Sequence, residues 1–513
     1  MFINKKMGVP FYFKKIFTNY PEILQNEYKN QGSCLFLDFN GIIHQSYYKI
    51  KNKEINEDSI FSEIKRYLLF LQDKFNPNLI YIAIDGVAPL SKIKQQRQRR
   101  FKTVFYQNEK NKIFEKYNND ISNWNSNCIT PGTIFMTNLN KFLKTIDMGN
   151  LIISDSDEKG EGEHKMFNYI KNNKWIENII IHGLDADLIF LSLLSNINNI
   201  VIYRDNNSKE SYLNIDILKS HIINDLKKNI IFNIENDCNI IKDYILICFL
   251  LGNDFVPKIT SLDIISNNGL NLIEETYLNI LNKQQKFLID NNNNINYDFL
   301  KNLIKDLSSN EVNNLNNANN RYKKKKFFNN TNKTDCELEI TKLEFYPLFN
   351  KTYLDYNNIF DWKNEYYNHY FKNITDKNEI IEQYLIGIQW ILDYYLNGKS
   401  DNNWFYPYLN SPLLDDIYNY LNNNNKFPIY IEKYKIEITS QIQLLIVLPK
   451  SSHYLLPKNL QNVYNTKLKY LYPTEFYIDT HMNTYLHQCI PFIPNFNIKY
   501  INNYIVHQNK TYL

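Results

Sequence analysis

Short apolar runs punctuate the first half of the chain, and polar stretches with helical spacing lie between them. CLFLD at 34–38, LIYIAID at 79–85, LIISD at 151–155 and NIIIHGLDAD at 178–187 are brief and nearly continuous. That is the pattern of strands buried on both faces. Residues 58–73 repeat apolar positions at helical spacing, and residues 7–17 open an amphipathic helix. Strands alternating with helices predict an α/β fold, a mainly parallel sheet flanked by helices. A longer run, YILICFLLGNDF at 244–255, reads as a helix broken at Gly252 and Asn253.

The pattern dissolves from about 290 to 333, where the chain is rich in asparagine and includes RYKKKKFF at 321–328. This predicts an Asn/Lys-rich low-complexity linker over 286–335, with at most a few short helices. The lysine run reads as a solvated stretch, with RNA contact or a nuclear signal as alternatives. Order returns near Leu338, and EIIEQYLIGIQWILDYYLNG at 379–398 reads as a long aromatic-rich helix. The expected organisation is a first region over 1–285, the linker, and a second, mostly helical region over 336–513.

Composition changes this picture little. With 513 residues, 44% hydrophobic and 22% charged, the chain suits a soluble protein of more than one domain. Tyr 40 and Phe 32, beside the Asn, Ile and Lys excess, point to an AT-rich genome. Single Asn or Lys residues therefore carry little information. A net charge of +4 leaves nucleic-acid binding to be decided by local clusters. Cys34, Cys128, Cys238, Cys248, Cys336 and Cys489 are scattered, with neither a CxxC pair nor zinc spacing. They read as free thiols in a reducing compartment. No secretory segment or membrane-spanning run is visible, so an intracellular, membrane-free protein is expected.

The acidic residues supply the chemistry. Asp38 and Asp85 end two of the apolar runs, and Asp185 and Asp187 follow a third. Glu161 and Glu163 form a second i, i+2 pair in GEGEHK, and Asp254 ends the 244–255 run. A lone Asp in such a place is ordinarily a cap or turn residue, and paired acids are ordinarily solvated. Five acidic sites at the ends of apolar runs argue against coincidence, because parallel sheets gather ligands at the carboxyl ends of their strands. Close carboxylates there repel by several kcal/mol at an effective dielectric of about 20. Divalent cations offset that repulsion, and an all-oxygen set points to magnesium, with manganese as the alternative.

A basic element follows Asp85. No acid occurs before Glu109, while Lys92, Lys94, Arg97, Arg99, Arg100 and Lys102 do. On a helix, Lys92, Gln96 and Arg99/Arg100 share one face. An ordinary solvated helix is the plain reading. Adjacency to Asp85 favours a face that holds a terminal phosphate.

Taken together, these motifs resemble the XRN family of 5′→3′ exoribonucleases. The resemblance runs through MGVP at 7–10, DFNGIIH at 38–44, AIDGVAPLSKIKQQRQRRFKT at 83–103, GEGEHK, GLDADLIFL at 183–191 and LLGNDFVPKITSLDI at 250–264. GIQWILDYYLNG, WFYPYLNSP, QLLIVLP and YPTEFYID carry it into the second region. It implies a PIN-like, flap-endonuclease-like nuclease core over 1–285 and a second conserved region walling the active site. The family's metal-binding acids fall on Asp38, Asp85, Glu161, Glu163, Asp185, Asp187 and Asp254. Its 5′-phosphate pocket falls on Lys92, Gln96, Arg99 and Arg100, and its base-stacking aromatic pair on His44 and Trp404. Departures are Lys159 where the family has proline, and Leu409, Asn410 and Ser411 where it has a His-Tyr-Ala run. The resemblance covers the catalytic core without the long C-terminal extension of some members, so partner docking through such a tail is not expected, and Met7 stands where the family begins.

The resemblance implies a monomeric, cytoplasmic 5′→3′ exoribonuclease of mRNA decay, with a nuclear location as the alternative. It would use two Mg²⁺ ions to degrade 5′-monophosphorylated single-stranded RNA to nucleoside 5′-monophosphates. Two rivals stand beside it. A structure-specific DNA flap nuclease shares the acids but leaves the second region unexplained. A non-catalytic RNA-binding protein on the same fold would not need seven mutually repelling carboxylates.

Overall fold

The structure, a computed structural model, describes residues 9, 11–28, 33–50, 56–120, 124–205, 210–264, 268–328, 333–356, 361–372, 374, 376–398, 400–424, 426–430 and 435–511. The MFINKK extension and Met7 lie outside the described residues. Each apolar run is a strand: β2 Cys34–Asp38, β3 Leu79–Ala83, β4 Leu151–Ser154 and β5 Ile179–His182. With β1 Leu24–Gln25, β6 Ile200–Asp205 and β7 Glu210–Asn214 they form a seven-stranded sheet, order β1-β7-β6-β5-β2-β3-β4. The strands from β6 through β5, β2 and β3 to β4 are parallel, and β7 and β1 add an antiparallel edge.

Alternation along the strands serves two cores. Phe36, Tyr81, Ile181 and Ile202 enter one, while Leu35, Leu37, Ile80, Ile82 and Val201 enter the other. Flanking helices cover both faces: α1 Tyr12–Asn19, α2 Phe39–Ile50, α3 Glu57–Phe75, α5 Ile134–Leu143, α6 Gly162–Asn172, α7 Ala186–Leu194, α8 Ile215–Lys227 and α9 Asp237–Phe249, while α4 Leu90–Lys116 leaves the end of β3 and packs its apolar residues against the second region. The helix expected in the 244–255 run is α9, and Asp254 lies in the loop beyond it.

Residues 286–335 depart from the linker expectation. Beyond α10 Gly269–Gln284, this stretch builds α11 Tyr297–Ser308 and α12 Glu311–Lys324. Phe299, Leu300, Leu303, Ile304 and Leu307 are all buried in the main core. Buried Asp243 of α9 accepts the backbone N–H groups of Leu288 and Ile289 at 2.7 and 2.9 Å, and Asn296 caps α11. Asparagine-rich composition hid an apolar stripe at helical spacing. The run Lys323–Lys326 is solvent-exposed. We expect Leu303→Ala to cost about 2–5 kcal/mol, read as a lower urea midpoint with an unchanged slope. A loss under about 0.5 kcal/mol would mean that α11 is peripheral.

The second region is mostly helical: α13 Asp335–Glu344, α14 Tyr346–Phe349, α15 Trp362–Tyr370, α16 Lys377–Leu392, α17 Leu414–Asn423, α18 Ser440–Val447 and α19 Ile498–Thr511, with one hairpin of β8 Tyr477–Asp479 and β9 Ile490–Phe492. Helix α4 ties it to the sheet. Lys94 Nζ donates to the carbonyls of Tyr406 and Tyr408, Arg97 to those of Ile446 and Leu471, and Lys102 to those of His487 and Cys489. These cations, Lys94 and Arg97 buried and Lys102 half-buried, satisfy carbonyls of the second region, so half of the basic helix is structural. No described helix is long and apolar enough to cross a membrane.

Candidate active site

The carboxyl edge of the sheet assembles the acids. Asp38 ends β2, the middle one of the five parallel strands, with Ala83 and then Asp85 beside it at the end of β3. Glu161 is the N-cap of α6 with Glu163 in its first turn, and Asp185 and Asp187 hold the same two positions on α7. The i, i+2 spacing thus places each pair at a helix N-terminus, where the backbone dipole favours negative charge.

Local contacts fix the constellation. Asp85 accepts the Asn40 amide at 2.7 Å and the Gly162 N–H at 2.8 Å. That approach favours a glycine, because a Cβ at 162 would crowd the Ala83 carbonyl oxygen at 3.0 Å. Gly86 and Gly160 bond the two loops together, and a Cβ on Gly86 would meet the Glu158 carbonyl at 1.8 Å. Lys165 straps the same loops by donating to the Ile84 and Asp155 carbonyls.

Burial dominates the electrostatics. Burial, then the charges of Asp185 and Asp85, holds the Asp38 carboxyl well above the usual range. Burial, opposed by Lys92 and reinforced by Asp187, does the same to Glu163. Asp185 is raised by burial to about 6 and Asp187, by burial and Asp254, to about 8. At their centre sits Lys92, 5% exposed, paired with Glu161 at 2.6 Å and Asp254 at 2.9 Å. Burial works against its charge, but Asp254, Glu161, Glu163 and Asp187 together hold it protonated.

No group of three or more His, Cys, Asp or Glu side chains among the described residues is arranged as a metal site. The donor chemistry nevertheless fits a hard divalent cation. All seven side chains offer oxygen, and buried Asp187 Oδ1 has no hydrogen-bond partner. Asp38, Asp85, Glu163, Asp185 and Asp187 are the residues that would hold such an ion, with Glu161 and Asp254 freed if Lys92 moves.

The basic face divides. Lys92 belongs to the acid cluster, and Gln96 accepts from Gln443 at 3.1 Å. Arg100 is 8% exposed with Nη1 unpartnered, and burial together with Arg99 pulls its pKa down to about 9. An anion beside Arg99 and Arg100 would satisfy that donor. The expected base stack finds no support from Trp404. Its ring is 1% exposed and lies 5.4 Å from the Trp390 ring. A Cβ at Gly387 would approach its Cη2 to 2.7 Å, and its indole N–H donates to Gln383. Such a ring has no open face, so Trp404 is a packing residue in this structure. His44 stands half-buried on α2.

Two residues escaped the sequence reading. Tyr394 and Tyr395 lie on a π-helical turn, Asp393–Asn397, that prolongs α16. Tyr394 donates its hydroxyl to Glu161, and Tyr395 bonds Asp187. DYYLNG carried the tyrosines, but only the wider π turn aims both at the acids. Among the departures, Lys159 makes an exposed ion pair with Glu437, whereas Asn410 and Ser411 are buried and bonded to Thr260.

The family model described as "XRN 5'-3' exonuclease N-terminus" matches residues 7–206, and "Xrn1 helical domain" matches 232–352 and 359–510. A human protein named 5'-3' exoribonuclease 1 is 30% identical over 92% of this chain and 32% of its own length. The protein of that name from Schizosaccharomyces pombe is 25% identical over 95% of this chain and 47% of its own. The chain thus spans less than half the length of these relatives. A solved structure of the Rad2 catalytic core with a DNA substrate covers 86% of this chain and 99% of its own at 11% identity, with a TM-score of 0.32. A score that low carries no argument.

Proposed function

This chain belongs to the XRN 5′-3′ exonuclease family, and we propose that it hydrolyses single-stranded RNA from a 5′-monophosphate end, one nucleotide at a time. The observation that carries the reading is the junction of two chemistries. Seven carboxylates crowd the sheet edge, and a buried guanidinium with an unpartnered N–H stands on the helix that starts beside them.

Arg99 and Arg100 would hold the terminal phosphate with charge-assisted hydrogen bonds, fixing register so that the cut falls after the first nucleotide. The acids then face the first internucleotide phosphate. Magnesium bound there would supply Lewis acidity, a nucleophile at neutral pH and stabilisation of the leaving 3′ oxygen, with two ions as our reading. Tyr394 and Tyr395 orient Glu161 and Asp187, and the second region excludes bulk water. Products are nucleoside 5′-monophosphates. We assign the protein to cytoplasmic mRNA decay, acting as a monomer. The test is digestion of matched RNAs with 5′-monophosphate, 5′-triphosphate, 5′-hydroxyl or capped ends, with and without magnesium. Preference for the monophosphate only with the metal is expected. Equal rates on all four ends would refute the end-recognition reading.

Metal binding should also appear in stability. Asp185 and Asp187 titrate near 6 and 8 in the folded state, above the roughly 3.9 of an unfolded chain. The folded protein therefore holds more protons across that window. Their stabilising contribution is complete below about pH 4 and is lost as pH rises through 6 and 8. The melting temperature of metal-free protein should fall from pH 5 to pH 8. Magnesium at a hundredfold excess over Kd should restore about 2.7 kcal/mol. An equal metal response in Asp38→Ala/Asp185→Ala would place the ions elsewhere.

A further inference from the structure

Beyond the acids, on the side away from α4, the sheet edge carries one more cation. Arg204 is the penultimate residue of β6, the strand next to β5, whose end leads to Asp185. It is half-buried, and its Nη1 is sealed from solvent with no hydrogen-bond partner. Among the described residues it makes no ion pair. Its neighbour Asp205 cannot serve, because successive strand residues face opposite sides and Asp205 accepts from Tyr67 and Gln45. The guanidinium instead lies over the Phe13 ring of α1, 3.9 Å from its centroid. A cation–π contact holds the plane in place but leaves the Nη1 donor unmet. Phe13 is itself stacked on Phe17, 6.4 Å away and 6° from parallel.

An arginine kept flat on an aromatic ring, close enough for its charge to act on Asp185 yet ion-paired with no carboxylate among the described residues, is poised for an anion that arrives with the substrate. Its place in the sheet says which one. From β3, where α4 begins, to β6 is three strand spacings, roughly 14 Å. The carboxylates of β2 and β5 fall in between. A 5′-phosphate at Arg99 and Arg100 would put the scissile phosphate over the acids and continue the strand toward β6. We infer that Arg204, seated on Phe13, binds the phosphate immediately 3′ of the scissile one and so holds the strand in line for the next cut. This rests on the reading of the site as a 5′→3′ exoribonuclease, and adds a contact to the downstream backbone.

The prediction separates substrates that differ by one phosphate. A 5′-phosphorylated uridine dinucleotide has only the terminal and scissile phosphates; the trinucleotide adds the one assigned to Arg204. Arg204→Ala should lower kcat/KM at least tenfold more on the trinucleotide than on the dinucleotide. A trinucleotide whose second internucleotide phosphate is a neutral methylphosphonate tests the same contact in the unaltered protein. Wild type should lose at least tenfold on it, while Arg204→Ala and Arg204→Gln should lose less than twofold. Equal losses on both lengths, or equal sensitivity of wild type and variants to the methylphosphonate, would overturn the assignment. If wild type cuts the dinucleotide but gains nothing from the third nucleotide, Arg204 is refuted and the exonuclease reading stands. If wild type releases no mononucleotide from 5′-phosphorylated RNA of any length, the exonuclease reading itself fails and takes this contact with it.

Discussion

Asp187→Asn is expected to abolish RNA cleavage, with a loss of at least about a thousandfold in the single-turnover rate, while the protein remains folded. Asp187 is 2% exposed, one of its oxygens has no partner, and its neighbours are carboxylates. Removing its charge relieves repulsion in the metal-free protein, so the melting temperature at pH 8 should rise or hold. Activity should move the other way. An ion that has lost one of its few carboxylate ligands supplies several kcal/mol less to the transition state, and about 4 kcal/mol is a thousandfold at 1.36 kcal/mol per decade. Asp185→Ala should behave alike. The pair of measurements matters, because lost activity in an unfolded variant would say nothing. A folded Asp187→Asn protein that cleaves within tenfold of wild type would remove Asp187 from the chemistry.

Arg100→Ala should cost about 1.5–3 kcal/mol of transition-state stabilisation on 5′-monophosphate RNA, the scale of a hydrogen bond to a charged group. That is roughly 10- to 150-fold in kcat/KM. The guanidinium is buried without a partner for Nη1, and burial together with Arg99 weakens its hold on the proton. A terminal phosphate would relieve both conditions. On 5′-hydroxyl RNA there is no terminal phosphate to hold, and the penalty should largely vanish. Equal losses on both substrates would mean that Arg100 contacts the backbone generally or only supports α4.

Strand ends and their acids were legible in the sequence because each depended on a short local pattern. A continuous apolar run, then Asp, is enough to place Asp38, Asp85 and Asp185 on one edge of a parallel sheet. The basic face of α4 was half legible. Helical spacing grouped Lys92 with Gln96, Arg99 and Arg100, but it could not show that Lys92 reaches back between Glu161 and Asp254. Nor could it show that Lys94, Arg97 and Lys102 serve carbonyls of the second region. Trp404 fails for a related reason: a motif names the residue, while tertiary packing against Trp390 and Gly387 decides whether its face is open. Residues 286–335 misled through composition, since asparagines surround the apolar stripe of α11 without interrupting it. Tyr394, Tyr395 and Arg204 were invisible because their roles depend on a π turn and on strand order.

If this acid cluster removes nucleotides from a 5′-phosphate end, the first product released is a mononucleotide. A single-stranded RNA with a labelled 5′-phosphate would be mixed with excess protein and magnesium, beside a DNA flap of matched length, and the earliest labelled species resolved. Labelled nucleoside 5′-monophosphate should leave the RNA at the shortest times, with little cutting of the flap. Labelled oligonucleotides from either substrate, appearing before any mononucleotide, would contradict it.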